Sequence, residues 1–124
     1  MSYFREIEPG IHLMADRPLA TEADGNAWVA EYDALLSANR PVAVIANVRN
    51  RPAPPAGKPM VLWTKARRAE LARLVRLSVY VAEDPTEYAA LEQALPARMK
   101  SSPYPMAVAA DEAQAIAKAR ASLH

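Results

Sequence analysis

The chain contains no cysteine. That absence removes disulfides, thiolate nucleophiles, iron–sulfur clusters and cysteine-ligated zinc together. Histidine is nearly absent too, with His12 and the terminal His124 as its two examples. Glycine occurs three times, so glycine-rich phosphate loops have little to be built from. Gly57-Lys58 is no exception. The leading glycine of such a loop is missing, and Pro59 stands where a magnesium-binding hydroxyl belongs. No apolar run approaches the ~18 residues that span a bilayer. The start, Met1-Ser2-Tyr3-Phe4-Arg5-Glu6, lacks the basic-then-apolar layout of a signal peptide. A cytoplasmic protein is expected. Excess charge of one sign is also missing: 15 basic and 14 acidic residues leave a net charge of +1, too small for polyanion binding by bulk charge.

What is present supports one domain. The chain has 124 residues, of which 52% are hydrophobic, enough for a core. Eleven prolines and an abundance of alanine and arginine suggest a GC-rich bacterial source. Tyr3, Phe4 and Ile7 precede a Pro9-Gly10 turn and then Ile11, Leu13 and Met14, the pattern of a hairpin. After the polar stretch from Thr21 to Asn26, Trp28, Tyr32, Leu35 and Leu36 recur at helical spacing. That helix is expected to stop near Asn39, ahead of Pro41. Trp28 and Tyr32 read as core on this spacing rather than as an aromatic ligand site. Val42-Ala43-Val44-Ile45-Ala46-Asn47-Val48 is short, branched and apolar throughout, as a strand buried on both faces must be.

Residues Arg49 to Pro59 are rich in proline and read as a long extended loop, a lid over the end of the central strand. Within it, Arg49 to Pro55 matches an Arg-x-x-Pro-x-x-Pro peptide-ligand pattern. Thr64 reads as the N-cap of a second helix running to Val75. On that helix Leu71, Leu74 and Val75 share one arc, with Lys65, Arg73 and Arg76 opposite and Arg68 beside them. Arg67 falls on the apolar arc. Leu77 to Ala82 reads as a strand. Asp84 and Pro85 start a third helix with Tyr88, Leu91 and Leu95 inward, broken or kinked at Pro96. Tyr104 to Ala109 reads as a strand entered through Pro105, and Asp111 with Gln114 starts a last helix with Ile116 and Leu123 inward.

The order ββαβαβαβα implies an α/β fold: a mixed, mainly parallel sheet of four to five strands with helices packed on it. Three stretches carry a family likeness: Arg40 to Ala46, Arg76 to Val81, and Pro105 to Ala113 with its Glu112-Ala113 pair. With the element order, they make the chain resemble the bacterial SpoIIAA-like branch of the STAS (sulfate transporter and anti-sigma factor antagonist) domains. The resemblance covers most of the chain. It implies a non-enzymatic interaction or ligand-binding module. In the anti-sigma antagonists a serine at the start of the second helix is phosphorylated. Here no serine lies between Asn39 and Leu77, and Thr64 is the only hydroxyl available to take that part.

Candidate chemistry is correspondingly sparse. His12 has no serine or acid at a recognisable triad spacing and reads as an exposed or half-buried strand residue. Glu83 and Asp84 end a parallel strand, where ligands often bind in open α/β sheets, but adjacent carboxylates face different ways. No metal site or cofactor is implied. Lys65, Arg67, Arg68, Arg73 and Arg76, with Arg49, Arg51 and Lys58 nearby, form a local cationic concentration. The lack of interleaved aromatics argues against nucleic acid. The expected ligand-binding set is therefore Asn47, Arg49, Thr64 and Arg67, where the strand end meets the proline segment and the next helix. Asn47 hydrogen-bonds the ligand, Arg49 and Arg67 hold an anionic group, and Thr64 assists. A protein surface, a nucleotide, or a small amphipathic or anionic molecule fits such a site. The competing expectations are a small enzyme using a carboxylate near Glu83 and a self-associating module, a homodimer in its simplest form.

Overall fold

A computed structural model describes residues 2–124. Five strands form one sheet in the order β1-β2-β3-β4-β5. The strands are β1 (Phe4–Glu8), β2 (Ile11–Met14), β3 (Val42–Asn47), β4 (Val75–Val81) and β5 (Met106–Ala109). The helices are α1 (Glu22–Leu36), α2 (Pro54–Ala66), α3 (Arg68–Leu74), α4 (Pro85–Ser101) and α5 (Glu112–Leu123). Strands β1 and β2 pair antiparallel around Gly10, whose φ of 83° suits the turn. The other neighbours pair in parallel. The mixed, mainly parallel α/β architecture expected from the pattern is the one observed.

Strands β2 to β5 follow one another across the sheet, and right-handed crossovers then put every connecting helix on the same face. Residues of α1, α2 and α3 pack with Val42 and Val44 on that face, and α4 packs there with Val108 and Ala82. Only α5 returns beneath, laying Ala115 and Ala119 on Ala43, Ile45, Val79 and Ala109. Strand β3 is buried from Val42 to Ala46, as its unbroken apolar run requires. Glu31 of α1 ties down the outer strand by accepting the amides of Tyr3 at 2.8 Å and Phe4 at 3.3 Å.

The helix ends follow local chemistry. Thr21 and Asp24 form a capping box at α1, Asp84 with Pro85 starts α4, and Asp111 accepts the Gln114 amide at 2.8 Å. Helix α1 ends earlier than expected, at Leu36, with Asn39 in the left-handed region at φ 56°. Helix α4 passes through Pro96 without ending. The proline removes the amide that would bond the Glu92 carbonyl, and both residues lie on the exposed side, where water serves the carbonyl.

The second crossover differs most from expectation. Residues 49–59 are not one extended loop: α2 starts inside them at Pro54. The PPII-type ligand pattern is therefore cut at Ala53, the last extended residue, with ψ 158°. Thr64 is not an N-cap. It lies in the last turns of α2, and its hydroxyl donates back to the Met60 carbonyl at 2.8 Å. A phosphoacceptor at a helix N-terminus has no geometric basis there. Arg67 is the joint between α2 and α3, and Val75 already belongs to β4.

Candidate functional site

Helices α1 and α2 touch closely, because Gly25 lets the Ala56 carbonyl and the Pro59 ring approach the α1 backbone. Helices α2 and α4 do not close on each other. Between them, over β3 and β4, lies a groove of about 940 Å³, at the upper end of the volumes typical of small-molecule sites. Its floor is Val44, Ala46, Ser78 and Tyr80. Met60 and Val61 of α2 and Ala90, Leu91 and Ala94 of α4 form the walls. Trp28 and Tyr32 of α1 reach its inner side while remaining part of the aromatic core, where Tyr32 meets Phe4 edge-on at 5.1 Å.

The two ends of the groove are each crossed once. At the carboxyl ends of the strands, Arg51 reaches Glu87 of α4 at 3.9 Å. At the amino ends, Arg68 donates to the Ser101 carbonyl at 3.1 Å. Lys65 and Arg98 line this second end and form no ion pair among the described residues. Hydroxyls gather under the same end. Burial drives the Tyr104 phenol far above its usual range, and Ser78 and Tyr80 line the groove with it. Burial likewise raises Tyr32, whose hydroxyl has no hydrogen-bond partner among the described residues.

A second, smaller cavity of about 560 Å³ opens on the other face of the sheet, lined by Leu13, Ile45 and Val81 near the strand ends. Asp16, Arg49 and Glu83 stand at its rim. Arg49 donates to Asp16 at 2.5 Å and to Glu83 at 3.0 Å, and these bonds raise its pKa further. Asn47 donates to the same Glu83 oxygen at 3.2 Å.

The four expected ligand-binding residues are thus dispersed. Asn47 borders both cavities, Thr64 lines the groove and Arg49 lines the smaller cavity. Arg67 lines neither. It pairs with Asp33 of α1 at 2.9 Å, beside the Trp63 indole, which donates to Asp33 at 3.1 Å. Of the two carboxylates, Asp84 caps α4 and Glu83 is engaged by Arg49 and Asn47. His12 lies half-buried on β2, 3.8 Å from Glu6.

Ser78, Tyr80, Arg98 and Tyr104 were not among the expected site residues. A signal for two of them exists: Ser78 and Tyr80 alternate with the apolar Leu77, Val79 and Val81 in β4, so both face one side. No family model, curated protein or solved structure matches the chain.

Proposed function

We propose that the protein is a non-enzymatic binding module, STAS-like in organisation, whose groove between α2 and α4 takes a small amphipathic anion. One observation carries this reading: a large apolar groove whose polar end presents two unpaired cations, Lys65 and Arg98. The apolar part of a ligand lies along Met60, Val61, Leu91 and Ala94, displacing water from apolar surface. Its anionic group sits at the amino-end mouth, between Lys65 and Arg98, where charge-assisted bonds are strongest. Thr64 and Asn47 supply neutral polar contacts along the groove.

An enzyme acting through Glu83 has less support. Its carboxylate is already held by Arg49 and Asn47, and its neighbour Asp84 is committed to the α4 cap.

The test is a titration with dodecanoate and with dodecanol, read from the fluorescence of Trp28, which borders the groove. Dodecanoate is expected to bind more tightly than the alcohol. Lys65→Ala with Arg98→Ala is expected to abolish that preference while leaving the alcohol's affinity unchanged. Equal affinity for both ligands in the native protein, or no binding of either, refutes the assignment.

A further inference from the structure

Helix α2 carries an apolar face that the core does not use. Its inward residues are Ala56, Met60 and Trp63, packed on α1. Yet Val61 and Leu62 remain 55% and 58% exposed. Lys58, Val61, Leu62 and Lys65 follow one another at i, i+3, i+4 and i+7, so they form one outward stripe at the lip of the groove. Residues 54–66 contain no acid, and neither lysine forms an ion pair among the described residues. Across the mouth, Met99 is 41% exposed between Arg98 and Lys100.

We propose that this stripe docks the protein on an anionic lipid bilayer, with Val61 and Leu62 entering the interface and Lys58 and Lys65 meeting the headgroups.

Charge complementarity selects the occupant. A helix with adjacent aliphatic and basic residues and no acid matches the boundary between acyl chains and negative headgroups. The lysine stems lie along the apolar surface while their ammonium groups stay in water. An acidic protein partner would answer the charge, but binding hot spots on proteins favour Trp, Tyr and Arg over the Val and Leu found here. The proposed function adds a second argument, and to that extent the inference rests on it. An amphipathic anion is concentrated in membranes, and the stripe borders the groove that would receive it.

Co-sedimentation with two kinds of vesicle tests this, one of phosphatidylcholine alone and one of phosphatidylcholine with phosphatidylglycerol. Each basic residue near an anionic surface contributes about fivefold to partitioning. The protein should therefore prefer the anionic vesicles by roughly tenfold or more, and added salt should weaken the preference. Lys58→Glu with Leu62→Asp should lower vesicle binding by at least about tenfold. Neither residue lines the groove, so the affinity for dissolved dodecanoate should stay the same in this variant. Circular dichroism of the variant, and a milder Lys58→Ala, guard against loss of folding.

Equal sedimentation with both vesicle types overturns the proposal, as does a double variant that binds like the native chain. Capture by polyglutamate without vesicle binding assigns the stripe to an acidic protein instead and overturns it too. So does a dimer in sedimentation equilibrium that Leu62→Asp dissociates. If dodecanoate fails to bind while vesicles are still distinguished, the groove assignment falls and the docking surface stands.

Discussion

Two glycines occupy the same place in two helices, and replacing each with alanine should have opposite effects. Gly25 is the fourth residue of α1 and Gly57 the fourth of α2. In both, alanine should gain about 0.8–1 kcal/mol of helix propensity. Gly57 has nothing within 4 Å of the position its Cβ would take. Gly57→Ala should therefore keep that gain and raise stability by about 0.5–1 kcal/mol. At Gly25 the new methyl falls inside contact distance of the Ala56 carbonyl oxygen, 2.7 Å from the Pro59 Cγ and 3.0 Å from the Ala56 carbonyl carbon. Two of those atoms belong to backbone and the third to a proline ring, so no flexible side chain can swing aside. The helices must part, and overpacking of this kind costs about 1–3 kcal/mol, with the tight backbone contact favouring the upper end.

Because the propensity gain is common to both positions, the difference between the two variants isolates the α1–α2 contact. It should be about 2–3 kcal/mol, with Gly25→Ala below the native protein and Gly57→Ala above it. For a chain of this length each kcal/mol moves the midpoint by about 4 °C, so the two melting curves should separate by roughly 8–12 °C. Urea denaturation with a shared slope would show that the native state alone is affected. If Gly25→Ala is as stable as Gly57→Ala, the close approach of these helices is wrong. The groove wall positioned by that approach would then be wrong with it.

Three further outcomes are expected. Tyr32→Phe removes a buried hydroxyl with no partner among the described residues, so it should stabilise the fold by about 1 kcal/mol in urea denaturation; destabilisation would reveal a hydrogen bond at that hydroxyl. Burial lowers the His12 pKa below its ordinary 6.5, against a smaller opposing effect of Glu6. As pH falls through 6.5 the unfolded chain takes up this proton first, so stability should drop from there to the folded-state pKa and then level off. His12→Gln should remove that segment of the pH–stability curve, and an unchanged curve would contradict the assigned burial. Ala94→Leu places an apolar side chain in the groove; it should raise the melting midpoint through ~1–2 kcal/mol of added burial and abolish dodecanoate binding, and retained binding would place the ligand elsewhere.

The elements that the sequence makes legible are those whose signal is local. The branched run of β3, the Thr21–Asp24 box and the Asp84-Pro85 start need no tertiary information. Helix α2 is obscured because proline is penalised only inside a helix. Pro54 and Pro55 occupy the first turn, where the amide has no partner to lose and φ is already helical. Only Pro59 gives up a bond, the one to the Pro55 carbonyl. Three prolines that look like a loop thus cost one hydrogen bond. The misplaced helix start also shifted the phase of the following residues. With α2 ending at Arg67, that arginine leaves the apolar arc and finds Asp33, a partner 34 positions earlier that spacing alone does not reveal. The site was half visible for the same reason. Asn47 lies at the end of a readable strand, whereas Arg98 and Tyr104 reach the groove only through the way α4 lies across β5.

Small residues account for both the closed seam and the open groove. At the α1–α2 seam, Gly25 faces Ala56, and removing side chains lets two backbones meet. At the α2–α4 gap, Gly57 of α2 and Ala90 and Ala94 of α4 line the groove, yet the helices stay apart and the space remains. Beneath the gap the floor carries Tyr80 of β4, and Tyr104 lines the same groove. Small side chains over a large one leave volume that neither wall can fill. A chain selected for packing alone would place leucine at Ala94, where the wall has room for it. Alanine there sacrifices stability one helical turn from Arg98, in the groove where Lys65 and Arg98 form no ion pair among the described residues. Missing bulk and missing counter-charge meet in one groove, and the amphipathic anion proposed above would supply both.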